Sequence, residues 1–226
     1  MSILEITANY YQYFLRGTRT TILVALVTVF CGALLGCAIA LMRLSKIKVL
    51  NWFSRLYITV IRGTPMLVQL YIVYFQLDFI KYPSGSIFGV DLERAIPCII
   101  ALSMNSAAYI AEIIRAGIQA VDAGQREASL SLGMTERAIM TKVIFPQAIK
   151  NILPALGNEV IVMIKQTSLA SVFFFGELMT AYKQVQSTTF LALEPLTISG
   201  LIYLFLTVTL SRITRHFEKR MKQNER

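Results

Sequence analysis

Long apolar stretches alternate with short polar connections along this chain, and the length of the stretches sets its class. Residues 20–42 run for 23 positions without a charged side chain. As a helix rising about 1.5 Å per residue, such a run crosses the roughly 30 Å hydrocarbon core of a bilayer. The same pattern predicts spans over 19–42, 56–77, 95–114, 152–176 and 196–213. Five spans place the two termini on opposite sides. The first run is too long for the apolar part of a signal peptide, and residues 1–11 carry no positive charge, so cleavage is not expected. Residues 3–15 read as a short amphipathic helix, within an external segment 1–18. The whole chain, 1–226, reads as one all-α transmembrane domain.

One connection breaks the alternation. About 35 residues between the third and fourth spans are polar, and 120–146 carries its own helix signals. Asp122-Ala123-Gly124-Gln125 supplies turn and helix-start chemistry. Ala128, Leu130 and Leu132 favour a short helix that Gly133 interrupts. Thr135 caps a second, with Glu136 in its first turn complementing the helix dipole. Pro146 then starts the return to the membrane. Two short helices in an L are expected, with a small residue, Gly133, allowing close approach at the corner.

Composition agrees with a membrane protein: 55% of residues are hydrophobic and 15% charged. The net charge of +9 changes the picture only through its distribution. Arg43, Lys46, Lys48 and Arg55 follow span one. Arg115, Arg126, Arg137, Lys142 and Lys150 follow span three. Arg212, Arg215, Lys219, Arg220, Lys222 and Arg226 follow span five. On the other side stand Arg16, Arg19, Lys81, Arg94 and Lys183, with Arg62 and Lys165 inside spans. The positive-inside rule therefore puts the N-terminus outside, with 120–146 and the basic tail 214–226 in the cytoplasm. The basic excess is a topology signal and points to no nucleic acid. Cys31, Cys37 and Cys98 lack metal-ligand spacing and read as packing residues. His216 lies in the basic tail with no nucleophile or metal constellation, so no catalytic residue and no metal site is assigned.

Polar groups inside a bilayer are costly and mark candidate sites. Arg62-Gly63-Thr64-Pro65 falls near the middle of span two. Pro65 removes a backbone donor and disfavours helix at Thr64. The span is expected to break there, with Thr64 capping a half-helix whose free amides suit a carboxylate. A simple proline kink is the alternative. Span three brings Ser103, Asn105 and Ser106 to the same depth, for interhelical hydrogen bonding or ligand contact. Span four supplies Asn158 and Glu159. Glu159 and Lys165 are six apart and share no helix face, leaving Glu159 in want of a cation. Glu112 and Arg115 fit a helix-surface ion pair, and Gly32 and Gly36 form a small-xxx-small pair for close helix approach.

The polar insert also carries a resemblance. Glu127-Ala128, then Gly133, then Val143-Ile144-Phe145-Pro146 keep the register of the Glu-Ala-Ala signature of permease subunits of ATP-binding-cassette importers. Ser129, Val143 and Phe145 depart from it conservatively. Arg62-Gly63-Thr64-Pro65-Met66-Leu67-Val68-Gln69, Ala108-Tyr109-Ile110-Ala111-Glu112, Leu156-Gly157-Asn158-Glu159 and Lys165-Gln166-Thr167-Ser168-Leu169 resemble the polar amino acid branch. The resemblance implies the type I importer permease fold, with five transmembrane helices and a cytoplasmic coupling helix. It implies docking on a separate ATPase through Glu127, Ala128, Ser129, Gly133, Met134 and Pro146. The implied substrate contacts are Gly63, Thr64, Met66, Gln69, Ser103, Asn105, Ser106, Asn158, Glu159 and Gln166. The position of Gln166 is often acidic in that family, so a neutral polar amino acid such as glutamine is expected. Further partners implied are a second permease chain, an extracytoplasmic amino-acid-binding protein and the lipid of a bacterial inner membrane. No P-loop occurs in the sequence, so no cofactor is expected in this chain, and ATP and Mg²⁺ are expected on the partner ATPase. A non-transporting scaffold or sensor would explain neither the broken span nor the clustered mid-depth polar groups. An ion-gradient-driven transporter or channel is the remaining alternative. It accommodates Glu159 and Lys165 but gives the polar insert no role.

Overall fold

The computed structural model describes residues 2–77, 79–87 and 90–223. Helix α1 (Ile3–Leu44) runs 42 residues without interruption, about 63 Å at 1.5 Å per residue. α2 (Lys48–Gly63) and α3 (Met66–Gln76) follow, and a two-stranded hairpin (Ser86–Ile87 with Val90–Asp91) leads into α4 (Leu92–Gln119). Two short helices, α5 (Ala123–Ser131) and α6 (Glu136–Ile139), run through a π-helical turn (Met140–Ile144) into α7 (Phe145–Gln166). A 3₁₀ stretch (Thr167–Phe173), α8 (Leu178–Thr189) and α9 (Leu193–Gln223) complete the described residues. Among these, α1, α4 and α9 are each long and apolar enough to cross a membrane. Two bent pairs, α2 with α3 and the α6–Phe173 run with α8, pass the same test together, which makes up to five spans if each pair is one.

Several boundaries differ from the sequence reading. The segment 1–18 is no separate amphipathic element: α1 is continuous, and its first turns pack Ile6 and Phe14 against Leu178, Val185 and Ile198. Gly17 is a contact point within this continuous helix. A Cβ there would lie 2.9 Å from both the Cβ of Ala181 and the Cα of Leu178. α8 falls between the expected fourth and fifth spans, because Lys183, two glutamines and four Ser/Thr residues hide it from a hydropathy count. Helix continues past 213 to Gln223, so most of the basic tail extends the last span, while Arg226 lies outside the described residues. Hydropathy marks the stretch that sits in hydrocarbon, and charged helix formers carry the helices beyond it.

Contact between α1 and α4 is set by small residues. Gly32 and Gly36 are buried, and a Cβ on Gly36 would lie 2.9 Å from the carbonyl oxygen of Ala107. A Cβ on Gly32 would lie 2.8 Å from that of Ser106. Helices in lipid associate through such close packing, since burying apolar surface gains little there. The pair at 32 and 36 is therefore the seam along which α1 lies on α4. α3 is held at the other side of α4: Met66 and Leu70 pack with Cys98, Ala101 and Leu102. The ring of Tyr74 stacks on Phe173 with centroids 3.9 Å apart, tying α3 to the 3₁₀ stretch.

Gly36→Ala is expected to lower the thermal midpoint in detergent, because overpacking against a backbone carbonyl costs about 1–3 kcal/mol. Gly200→Ala, where a Cβ meets nothing within 4 Å, should leave it unchanged or raise it. Equal midpoints for the two variants would show that the seam is not where α1 is held.

Candidate functional site

The break between α2 and α3 organises the polar residues at mid-depth. Pro65 cannot donate a backbone hydrogen bond and disfavours helix at Thr64, so helix ends at Gly63 and restarts at Met66, bent by 110°. The break falls where the sequence predicts it, but the capping differs. Thr64 does not cap the amides of α3. Its hydroxyl donates to the Val60 carbonyl (2.8 Å) and accepts from Nε2 of Gln69 (2.8 Å). That amide nitrogen also reaches the carbonyls of Ile61 (2.6 Å) and Thr64 (3.0 Å). One side chain from α3 thus reaches back to two carbonyls at the end of α2 and the break, those of Ile61 and Thr64. The amides of the first turn of α3 receive no side-chain cap.

Gln69 is in turn held by α4. Nδ2 of Asn105 donates to Oε1 of Gln69 at 2.9 Å. The next residue, Ser106, faces a different neighbour and donates to Oε1 of Glu159 on α7, also at 2.9 Å. A connected line therefore runs Thr64, Gln69, Asn105, Ser106, Glu159 across three elements, halfway along α4. Gln69, Asn105, Ser106 and Glu159 are all buried, as are Met66 and Ser103 beside them. The orphan acceptor Oδ1 of Asn105 and the hydroxyl of Ser103 have no hydrogen-bond partner among the described residues.

Three predicted site residues stand apart from this line. Gly63 is exposed at the end of α2, with open space where a Cβ would be. Asn158 is exposed on the side of α7 away from buried Glu159, so adjacency in sequence does not make the two one site. Gln166 ends α7, two turns beyond Glu159, with its Oε1 buried and unpartnered among the described residues. Lys165 is exposed in a separate small cavity with Ser168, Met179 and Tyr203. Arg62 sits away from the middle. Its guanidinium lies over the Tyr109 ring (5.2 Å) and 3.9 Å from Glu112, which also takes two hydrogen bonds from Arg115. The expected Glu112–Arg115 pair is thus present, with Arg62 added to it.

Glu177 escapes the sequence reading altogether. It is fully buried and caps α8, accepting from the amides of Met179 and Thr180 (2.6 Å each), from the Thr180 hydroxyl (2.8 Å) and from Tyr203 (3.3 Å). Glu is not among the residues favoured as N-caps, so little in the sequence signals this role.

The polar insert forms the expected L. Asp122 accepts from the Gly124 amide at 2.8 Å and Thr135 from that of Ala138 at 3.4 Å, starting α5 and α6. α5 ends in a Schellman turn, with Gly133 donating to Leu130 and Met134 to Ser129. Gly133 has φ +73°, and open space surrounds its Cβ position. It is required for its left-handed backbone and not for close approach, which corrects the sequence reading. Arg126 pairs with Glu136 and braces the two arms. Glu127, Ala128, Gly133 and Pro146 are exposed, Met134 half-buried, and Ser129 is turned inward, bonded to the Gln125 carbonyl (2.6 Å). Leu132, at the end of α5, is 82% exposed.

These elements define a class: a helical membrane protein with a span broken at mid-depth and a braced, outward-facing L. Residues 32–223 match the family model described as binding-protein-dependent transport system inner membrane component, and the chain belongs to that family. It is 38% identical to the arginine transport system permease protein ArtQ of Bacillus subtilis, covering 94% of each chain. It is 37% identical to a putative glutamine transport system permease protein GlnP of Rickettsia bellii, over 92% of this chain and 93% of that one. A crystal structure of an amino acid ABC transporter with histidines superposes with TM-score 0.89 at 44% identity, covering 97% and 99% of the chains. The inward-facing MetNI methionine ABC transporter shares the fold at TM-score 0.74 and 16% identity, over 93% and 96%. The fold is that of type I importer permeases.

Gln69→Leu should strip partners from two carbonyls and from Asn105, at about 1–3 kcal/mol for each group left buried and unpaired. The expected result is a large fall in thermal midpoint with faster amide exchange over 60–66, while Asn105→Ala gives a smaller fall. Unchanged exchange in Gln69→Leu would show that the break is held by other contacts.

Proposed function

We propose that this chain forms half of the translocation path of an importer for a polar amino acid, working by alternating access and driven by a separate ATPase. The observation that carries the reading is the exposed L of α5 and α6, joined by continuous helix through the π turn to Glu159 on α7. A partner pressing on Glu127, Ala128 and Leu132 would move α7 as a body, and with it one end of the mid-depth polar line. The partner ATPase would hold ATP and Mg²⁺. A second permease chain would close the path, and an external binding protein would deliver cargo. The positive-inside distribution supports placing the L in the cytoplasm of a bacterial cell, with the N-terminus outside.

Cargo would lie along the broken span. The uncapped first turn of α3 suits an α-carboxylate, since free amides at a helix N-terminus attract anions. Glu159 and the free Oδ1 of Asn105 suit the α-ammonium, with Ser106 giving up its bond to Glu159 when cargo arrives. Thr64 and Ser103 would complete the shell. One carboxylate on this line is used by the backbone ammonium, and Gln166 adds no second charge. A neutral side chain such as that of glutamine is therefore favoured over a cationic one.

Reconstitution of the permease with its ATPase and binding protein in vesicles tests this. Uptake of labelled glutamine should require internal ATP, be outcompeted poorly by arginine, and fall at least tenfold in Glu159→Gln. In Gly133→Leu, ATP hydrolysis should persist while uptake is lost, because the left-handed turn of the L is strained. Uptake driven by a proton or sodium gradient without ATP would overturn the importer reading. Preferential uptake of arginine would overturn the neutral cargo alone.

A further inference from the structure

The strongest unassigned feature is a two-part groove where α1 meets α2. An apolar groove of about 800 Å³ lies between the last turns of α1, the end of α4 and the start of α7. Its floor includes Leu41, Leu44 and Ile114, and its far wall is Met140 and Phe145 of the π-turn region. Ser45 lines this groove and also a second, polar pocket of about 400 Å³. That pocket is formed by Lys46, Lys48, Asn51, Trp52 and Arg55. Apolar and cationic surfaces thus meet at one residue.

The cationic part is organised. Nε of Arg55 donates to Oδ1 of Asn51 at 2.6 Å, and Asn51 is itself anchored on the carbonyl of Arg43. The lysines are exposed, and Arg43 has a buried Nη1 with no partner among the described residues. No Asp or Glu occurs between Glu5 and Asp78, and the carboxylate that reaches Arg43 across the fold is Glu112, which Arg115 already holds. Trp52, the single tryptophan, is 57% exposed beside the cations, as expected of a side chain at the level of lipid headgroups.

From this geometry we infer a binding site for one anionic phospholipid, with its phosphate among Lys46, Lys48 and Arg55 and its acyl chains in the groove against Met140 and Phe145. A zwitterionic lipid fills the groove equally well but brings no net charge to the pocket. Clusters of Lys and Arg at a membrane surface favour anionic headgroups by about fivefold per cation. A soluble phosphate shares the headgroup chemistry but leaves the apolar groove unused. The lipid touches the π turn that joins the L to α7, so its occupancy bears on how motion passes along that run.

The test uses the permease–ATPase complex in vesicles of equal parts phosphatidylcholine and phosphatidylglycerol, with a trace of either lipid carrying a photoreactive acyl chain. Crosslinks on peptides covering 41–55 and 140–149 should favour the phosphatidylglycerol probe by at least fivefold, the preference of a single cation. Lys46→Gln/Lys48→Gln/Arg55→Gln, all exposed positions, should bring the two probes level, and Lys46→Arg should keep the preference. Equal labelling in the unaltered complex overturns the proposal. So does loss of the preference in excess inorganic phosphate, which would assign the pocket to a soluble anion. No step of this readout requires uptake, so it stands or falls separately from the import reading.

Discussion

Inside a bilayer every peptide group needs a partner, and the break at Thr64–Pro65 opens several at once. Proline forces the break, so the fold needs a donor that follows the chain across it. Gln69 supplies that donor by reaching back across the bend to the carbonyls of Ile61 and Thr64. Its own acceptor is then filled by Asn105 of α4. The direction of α3, its register against α4 and the depth of the polar line all depend on this one amide. A polar residue in a span is often taken as a ligand contact because it is expensive there. Here much of the expense is met by the backbone, and few valences on the line are left open among the described residues, those of Asn105 Oδ1 and the Ser103 hydroxyl.

Glycine solves two unrelated problems in this chain. At Gly32 and Gly36 the backbone is ordinary helix, and what matters is the absence of a side chain against α4. At Gly133 space is plentiful and what matters is φ +73°, which lets α5 close with a Schellman turn. Substituting a larger residue fails in both places, but for different reasons. The first failure separates two spans, while the second re-aims Leu132 and Glu127. A sequence pattern alone does not distinguish the two uses.

The spans were legible because hydropathy reports what lies in hydrocarbon, and Pro65 announced the break by its missing donor. The spacing from Glu127 to Pro146 identified the L, while charge placement bears only on which side of the membrane it faces. What stayed hidden was whatever depends on a partner remote in sequence. α8 is polar by composition and is held by Gly17 and Tyr203 from elsewhere in the chain. Glu177 is buried only because α1 and α9 cover it. Asn158 and Glu159 look like one site in sequence, yet helix geometry points adjacent residues about 100° apart, and only the second meets Ser106. Gln69 was picked as a contact for cargo, whereas its capping of α2 could not be seen without the bend.

The arrangement of α5 to α7 has a mechanical consequence. From Glu136 to Phe173 the chain is helical throughout, so a push on the L is delivered along an axis and not lost in a hinge. That path is not uniform: it holds the π turn at Met140–Ile144, where an extra residue per turn shifts the register of the faces, Pro154 inside α7 and the 3₁₀ stretch beyond Gln166. The π turn is the irregularity nearest the L. It lies against Ile118 and Leu44 across the apolar groove, and α4 leads from there back to Asn105 and Ser106. A force applied at α6 therefore has two routes to mid-depth: directly along α7 to Glu159, and through whatever fills the groove to α4. The Ser106–Glu159 bond is where the two routes meet, which makes it the contact most sensitive to any difference between them.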